Sequence, residues 1–204
     1  MDRSRQPGFT LVELMVTLTV VGILVGMAVP NMRDFIRNNR LTGGVNDMLH
    51  SLQVARTEAI KRQLGNVVVC GTAAPDVADA ALACDYTTFK GWFVFQDTNG
   101  NWQHDGAEPV IERHALLDTG VTVKTDAKDR IVSFAPTGFA SLAGVRSNMA
   151  TLVMCDSRGV VAASTASSTG RALFITATGR ARAASSYNDV HGIALPKVVG
   201  GSCP

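Results

Sequence analysis

The chain has 204 residues, of which 46% are hydrophobic and 18% charged. That balance excludes an intrinsically disordered chain and fits one globular domain with an appended segment. The net charge of +2 hides a segregation: residues 1–70 sum to +3, residues 71–129 to −6 and residues 130–204 to +5, so one part of the folded chain can attract an anionic partner.

Residues 1–8, MDRSRQPG, are polar and basic through Arg3 and Arg5. They abut an apolar run, Phe9 to Val29, whose one charge is Glu13. As a helix this run would be about 31 Å long, close to the thickness of a bilayer's hydrocarbon core. A secretory signal peptide would be cut after its apolar stretch, and the A-x-A-like pattern there is poor. Arg33, Arg37 and Arg40 beyond the run oppose Arg3 and Arg5, so charge alone does not orient it.

Gly8-Phe9-Thr10-Leu11-Val12-Glu13-Leu14 resembles the prepilin-peptidase site shared by type IV pilins and type II secretion pseudopilins. The resemblance implies cleavage after Gly8 by prepilin peptidase on the cytoplasmic side and N-methylation of Phe9. Physics singles out Glu13 independently, because a carboxylate among leucines and valines is strongly disfavoured in lipid unless it is paired or protonated. In a filament it can pair with the Phe9 amine of a neighbouring subunit; the plainer alternative is a glutamate snorkelling to the headgroups.

After Pro30 apolar residues recur at helical spacing: Met32, Phe35, Ile36, Val45, Met48, Leu49, Leu52, Ala55, Ala59 and Ile60. This face is expected to pack on the head. Thr42-Gly43-Gly44 should kink or partly melt the helix, and Gly65 should end it. Arg56, Glu58, Lys61 and Arg62 fall on the wet side. The run Leu49–Arg62 resembles the second signature of the GspH/FimT branch of pilins.

Strand-like pieces follow at 66–70, 89–96, 109–114, 120–124, 130–135, 150–155, 171–177 and 180–184, separated by turn residues. The expected fold class is α+β, the type IV pilin fold: a leader at 1–8, a membrane or filament-core helix at 9–30, an amphipathic helix at 31–64 and an antiparallel β head at 65–204. Four cysteines allow three pairings. The expected pair Cys70–Cys84 closes a loop, Cys155–Cys203 fastens the C-terminal tail, and both fit an oxidising compartment.

Thr176-Ala177-Thr178-Gly179-Arg180-Ala181-Arg182 reads as a turn entering a strand, which would put Arg180 and Arg182 on one face about 7 Å apart, comparable to successive phosphates. Gly179 leaves room for a close backbone approach. The segment resembles the GRxR motif of FimT-type minor pilins that bind DNA in natural transformation. Arg171, Lys197, Arg158 and Arg146 share its basic segment. With no aromatic interleaved in sequence, binding should be phosphate-directed and salt-sensitive. The alternative is a pair of ordinary solvated arginines or partners of the acidic middle.

Residues 97–108 place oxygen-bearing side chains at positions 1, 3, 5, 9 and 12 of a calcium-loop template. Trp102 stands where such loops need glycine, and a hairpin with an Asn-Gly turn explains the same residues, so no metal is expected. The stretch Trp92 to Phe95 should be a strand buried on at least one face. His50, His104, His114 and His191 are dispersed without evident acid or cysteine partners and read as surface or turn residues. Absence of GxSxG, Walker, GxGxxG and HExxH patterns argues against an enzyme, and no cofactor is expected. The resemblance to type IV pilins of the GspH/FimT branch implies a minor pilin near the pilus tip, partnered by major and minor pilins, the inner membrane and DNA, with its head in the periplasm and then on the surface of a Gram-negative cell. Two alternatives stand beside it: a pilin for assembly, adhesion or twitching, and a secretion pseudopilin.

Overall fold

A computed structural model of the chain describes residues 8–85, 89–114, 120–125, 131–142, 149–160 and 168–185. The chain divides into two compact units, residues 1–39 and 40–204. Helix α1 (Leu11–Arg62) enters both.

In the first unit the described side chains are almost all exposed, including Leu11, Leu18 and Leu24. Thr10 starts the helix: its Oγ1 accepts the Glu13 N–H at 3.2 Å, satisfying one of the amides that a helix start leaves open. The helix is long and apolar enough to cross a membrane. Met32, Phe35 and Ile36, expected on the packed face, are exposed.

The second unit has its own core. Its part of α1 buries Leu41, Val45, Met48, Leu52, Ala55 and Ala59, a stripe at spacings of three and four. Ile60, also expected on that stripe, is 45% exposed. The helix does not melt at Thr42-Gly43-Gly44, since Leu41 and Val45 on either side are anchored in the core. It ends at Arg62, where Gln63 and Gly65 take positive φ.

Among the described residues nine strands follow: β1 (Asn66–Thr72), β2 (Gly91–Asp97), β3 (Val110–His114), β4 (Thr122–Thr125), β5 (Ile131–Phe134), β6 (Ala140–Leu142), β7 (Met149–Cys155), β8 (Arg171–Thr176) and β9 (Ala181–Ala184). They form two antiparallel sheets, ordered β3-β2-β1-β5-β6 and β4-β7-β8-β9. The α+β expectation of a helix on antiparallel strands holds, with the head split into two sheets.

Strand alternation explains how one helix serves both sheets. Val67, Val69, Trp92, Val94, Val132 and Phe134 from the first sheet join Val123, Leu152, Met154, Leu173 and Ile175 from the second in one cluster with the helix stripe. The intervening residues Val68, Cys70, Phe93 and Phe95 face the other way and are covered by Leu82. Strand β2 is therefore buried on both faces, and the Cys70–Cys84 disulfide fastens the covering loop to the neighbouring strand β1. Cys155 is disulfide-bonded as well; its expected partner Cys203 lies outside the described residues.

Candidate nucleic-acid interface

The turn between β8 and β9 is a three-residue hairpin. Gly179 N–H donates to Thr176 O at 2.8 Å, and Thr176 N–H donates to Arg180 O at 2.9 Å. Gly179 has φ +77°, the left-handed conformation that closes such loops. A Cβ at Gly179 would collide with Gly138 O and approach the Arg56 side chain. The close backbone approach expected at this glycine thus belongs to the protein's own Ala135–Gly138 turn, which joins the other sheet.

Arg180 and Arg182 are exposed. Ala181 between them packs toward the main core and Arg182 pairs with Phe174, so alternation puts both arginines on the face opposite the helix. The Arg182 guanidinium lies over the Phe174 ring, 4.5 Å from its centroid. Such a cation–π contact anchors the guanidinium without using up its N–H groups, which an anion can still accept from. Among the described residues neither arginine has an acidic partner.

Of the other candidates, the structure describes Arg171 and Arg158 and does not bring them here. Arg171 opens β8 at its far end and shares its strand face with Leu173 and Ile175, the face turned to the core. Its guanidinium donates to the Ser168 and Gly170 carbonyls at 2.7 and 3.0 Å. Burial, then the neighbouring Arg158 charge, hold its pKa below the usual guanidinium value. Arg171 therefore fits a structural role better than a phosphate contact. Arg158 is bound to Asp156 at 2.7 Å. Lys197 and Arg146 lie outside the described residues.

The loop resembling a calcium site satisfies itself. Asp97 accepts the Gly100 and Trp102 N–H groups at 2.7 and 3.1 Å, and Glu108 accepts those of Thr98 and Asp105 at 2.7 and 3.3 Å. Trp102 adopts φ +67°. Among the described residues no cluster of three or more His, Cys, Asp or Glu is placed to hold a metal.

Two of the histidines depart from the surface reading, whereas His50 is exposed as expected. His104 is buried, its ring nitrogens 2.9 and 3.1 Å from the Leu82 and Glu108 carbonyls and its ring edge-on to Phe93 and Phe95. His114 stacks on Trp92 with centroids 3.8 Å apart, and its Nε2 is 3.1 Å from Asp47. His50 lies 3.7 Å from Glu112. These acids are more than sixty residues away in sequence, beyond any local pattern. Arg56, placed on the wet side, is half-buried with its Nε inaccessible and without a hydrogen-bond partner. His191 lies outside the described residues.

Residues 44–185 match the family described as type II transport protein GspH. The chain belongs to the GspH family. Residues 3–29 match the prokaryotic N-terminal methylation motif, which contains Gly8, Phe9 and Glu13; all three are exposed in this GspH-family chain. It is 42% identical to the type IV major fimbrial protein FimA of Dichelobacter nodosus over 43 residues, 21% of this chain and 27% of that protein. It is 36% identical to a fimbrial protein of Pseudomonas aeruginosa over 55 residues, 27% of this chain and 35% of that protein. These matches thus span roughly a quarter to a third of the relatives' lengths. The structure is also similar to that of the type IV minor pilin FimU of P. aeruginosa, with a TM-score of 0.49 and 19% identity, covering 75% of this chain and 98% of that one.

Proposed function

We propose that this chain is a minor type IV pilin that binds extracellular DNA without sequence preference, for uptake in natural transformation, from a position at or near the pilus tip. Prepilin peptidase cuts after Gly8 at the inner membrane, Phe9 is N-methylated, and Glu13 pairs with the Phe9 amine of an adjacent pilin as the subunit leaves the membrane. Its position as the sole charge in the apolar run supports this role.

The observation that carries the DNA reading is the pair Arg180 and Arg182: exposed, one at the end of the turn and one in β9, without acidic partners among the described residues. Residues two apart along a strand have Cα atoms about 7 Å apart, comparable to successive phosphates along one strand, and phosphate contacts read no base. Gel-shift titration of the full chain in nonionic detergent tests this at low and moderate salt. The Arg180→Gln/Arg182→Gln variant should bind more weakly to every sequence, with a salt slope reduced by about 2. Unchanged affinity and slope would sink the DNA assignment.

The family's description favours a second reading, a subunit of a type II secretion filament. Deleting the gene separates the two: loss of DNA uptake supports the first reading, whereas retention of exported proteins in the periplasm supports the second.

A further inference from the structure

The arginine turn has an aromatic neighbour that sequence spacing hides. Gly138 and Gly179 meet where the two sheets approach, and Ala140 N–H donates to Ala177 O at 2.9 Å. The residues that follow the two glycines, Phe139 and Arg180, are both exposed. Phe139 is 57% exposed, the one aromatic among the exposed large hydrophobic side chains described in the second unit. Beside it opens a cleft of about 440 Å³ whose walls include Trp102, Ala177, Asn66, Thr137 and Ser141.

Among the described residues no acid lines this cleft, and the nearest charge in sequence to its Ala177 wall is the cationic Arg180. Hydroxyl and amide groups along one side can exchange hydrogen bonds with an uncharged heterocycle. An aromatic ring beside cationic groups is the combination that binds single-stranded nucleic acid, where each base has a free face to stack and each phosphate a charge to neutralise. A duplex keeps its base faces covered by their neighbours.

We propose that Phe139 and its cleft seat an unpaired base of single-stranded DNA whose phosphates are held by Arg180 and Arg182. This rests on the DNA-binding reading above and adds a strand preference to it.

Fluorescence anisotropy of the full chain in nonionic detergent tests the seat, using a labelled oligothymidylate and a labelled duplex of equal length. Phe139→Ala should weaken oligothymidylate binding by roughly five- to a hundredfold and leave duplex binding unchanged. Phe139→Trp should restore it, and the new indole emission should be quenched by oligothymidylate. If Phe139→Ala binds both probes like wild type while Arg180→Gln/Arg182→Gln loses both, the seat is overturned and the arginine interface stands. Equal weakening of both probes by Phe139→Ala also overturns it, as does loss of surface pili with DNA binding intact, which would assign Phe139 to a neighbouring subunit. If wild type binds neither probe, both readings fall.

Discussion

The carbonyl oxygen of Gly138 occupies the space that a side chain on Gly179 would need. The glycine of the arginine motif is therefore required by the fold, whereas the arginines beside it are free of the fold's demands on backbone space.

Gly179→Ala should destabilise the chain by about 1–3 kcal/mol, from positive φ and from displacement of the Gly138 turn. Arg180→Gln should leave stability within about 0.5 kcal/mol of wild type. Urea denaturation of the two variants checks the contrast, and equal midpoints would show that the two turns do not constrain each other.

Ser51 is fully buried and serves two groups: its Oγ accepts the Trp92 indole N–H at 2.9 Å and donates to Glu112 at 3.1 Å. Ser51→Ala leaves the buried indole donor unmet and should destabilise by about 1–3 kcal/mol. The denaturation midpoint and the tryptophan emission wavelength together report it. A midpoint equal to wild type would mean that another group or a water replaces the hydroxyl.

Cys70 and Cys84 are separated by 14 residues. Closing a loop of that size restricts the unfolded chain by about 3 kcal/mol on the chain-entropy account. Replacing both with serine should lower stability by about that much and loosen the cover over Phe93 and Phe95. Hydrogen exchange at β2 would then rise more than at β8; an even rise across both sheets would argue against a local cover.

Near the end of α1, Glu58 is bonded to Arg62 at 2.7 Å and lies 3.5 Å from Lys61. The Arg62 hydrogen bond, with the Lys61 and Arg62 charges adding to it, holds the carboxyl below its usual 4.5 despite partial burial. Because the folded pKa is depressed, the contribution is present above 4.5 and disappears as pH falls through the lower folded value. Solvent exposure limits it to about 0.3–0.5 kcal/mol. Glu58→Gln should lose that amount at neutral pH and match wild type in acid, which denaturation at several pH values can resolve.

Much of the fold is legible in the sequence because its elements are marked locally. The strand at 66–70 is a short run of valines bounded by Gly65 and Gly71, and the turn before Arg180 carries its own glycine, signals that need no distant partner. Strand β6, by contrast, is three residues long and exists through its pairing with β5. Division into two sheets likewise depends on which strands meet across long loops. The candidate site shows the same limit: Arg180 and Arg182 are visible as a motif, but Phe139 is some forty residues upstream and only the Gly138–Gly179 contact brings its turn against theirs. Arg171 misleads for the converse reason, since it is near in sequence yet faces the core side of the sheet from the far end of β8.

The loop from Asp97 to Glu108 is tied by its own carboxylates to the amides of Gly100, Trp102, Thr98 and Asp105. A protease must take its substrate as an extended strand, and here extension means releasing those bonds together, with Asp97 and Glu108 both drawn out of the interior. A long polar hairpin tip, ordinarily the first place a folded protein is nicked, is in this chain armoured against digestion.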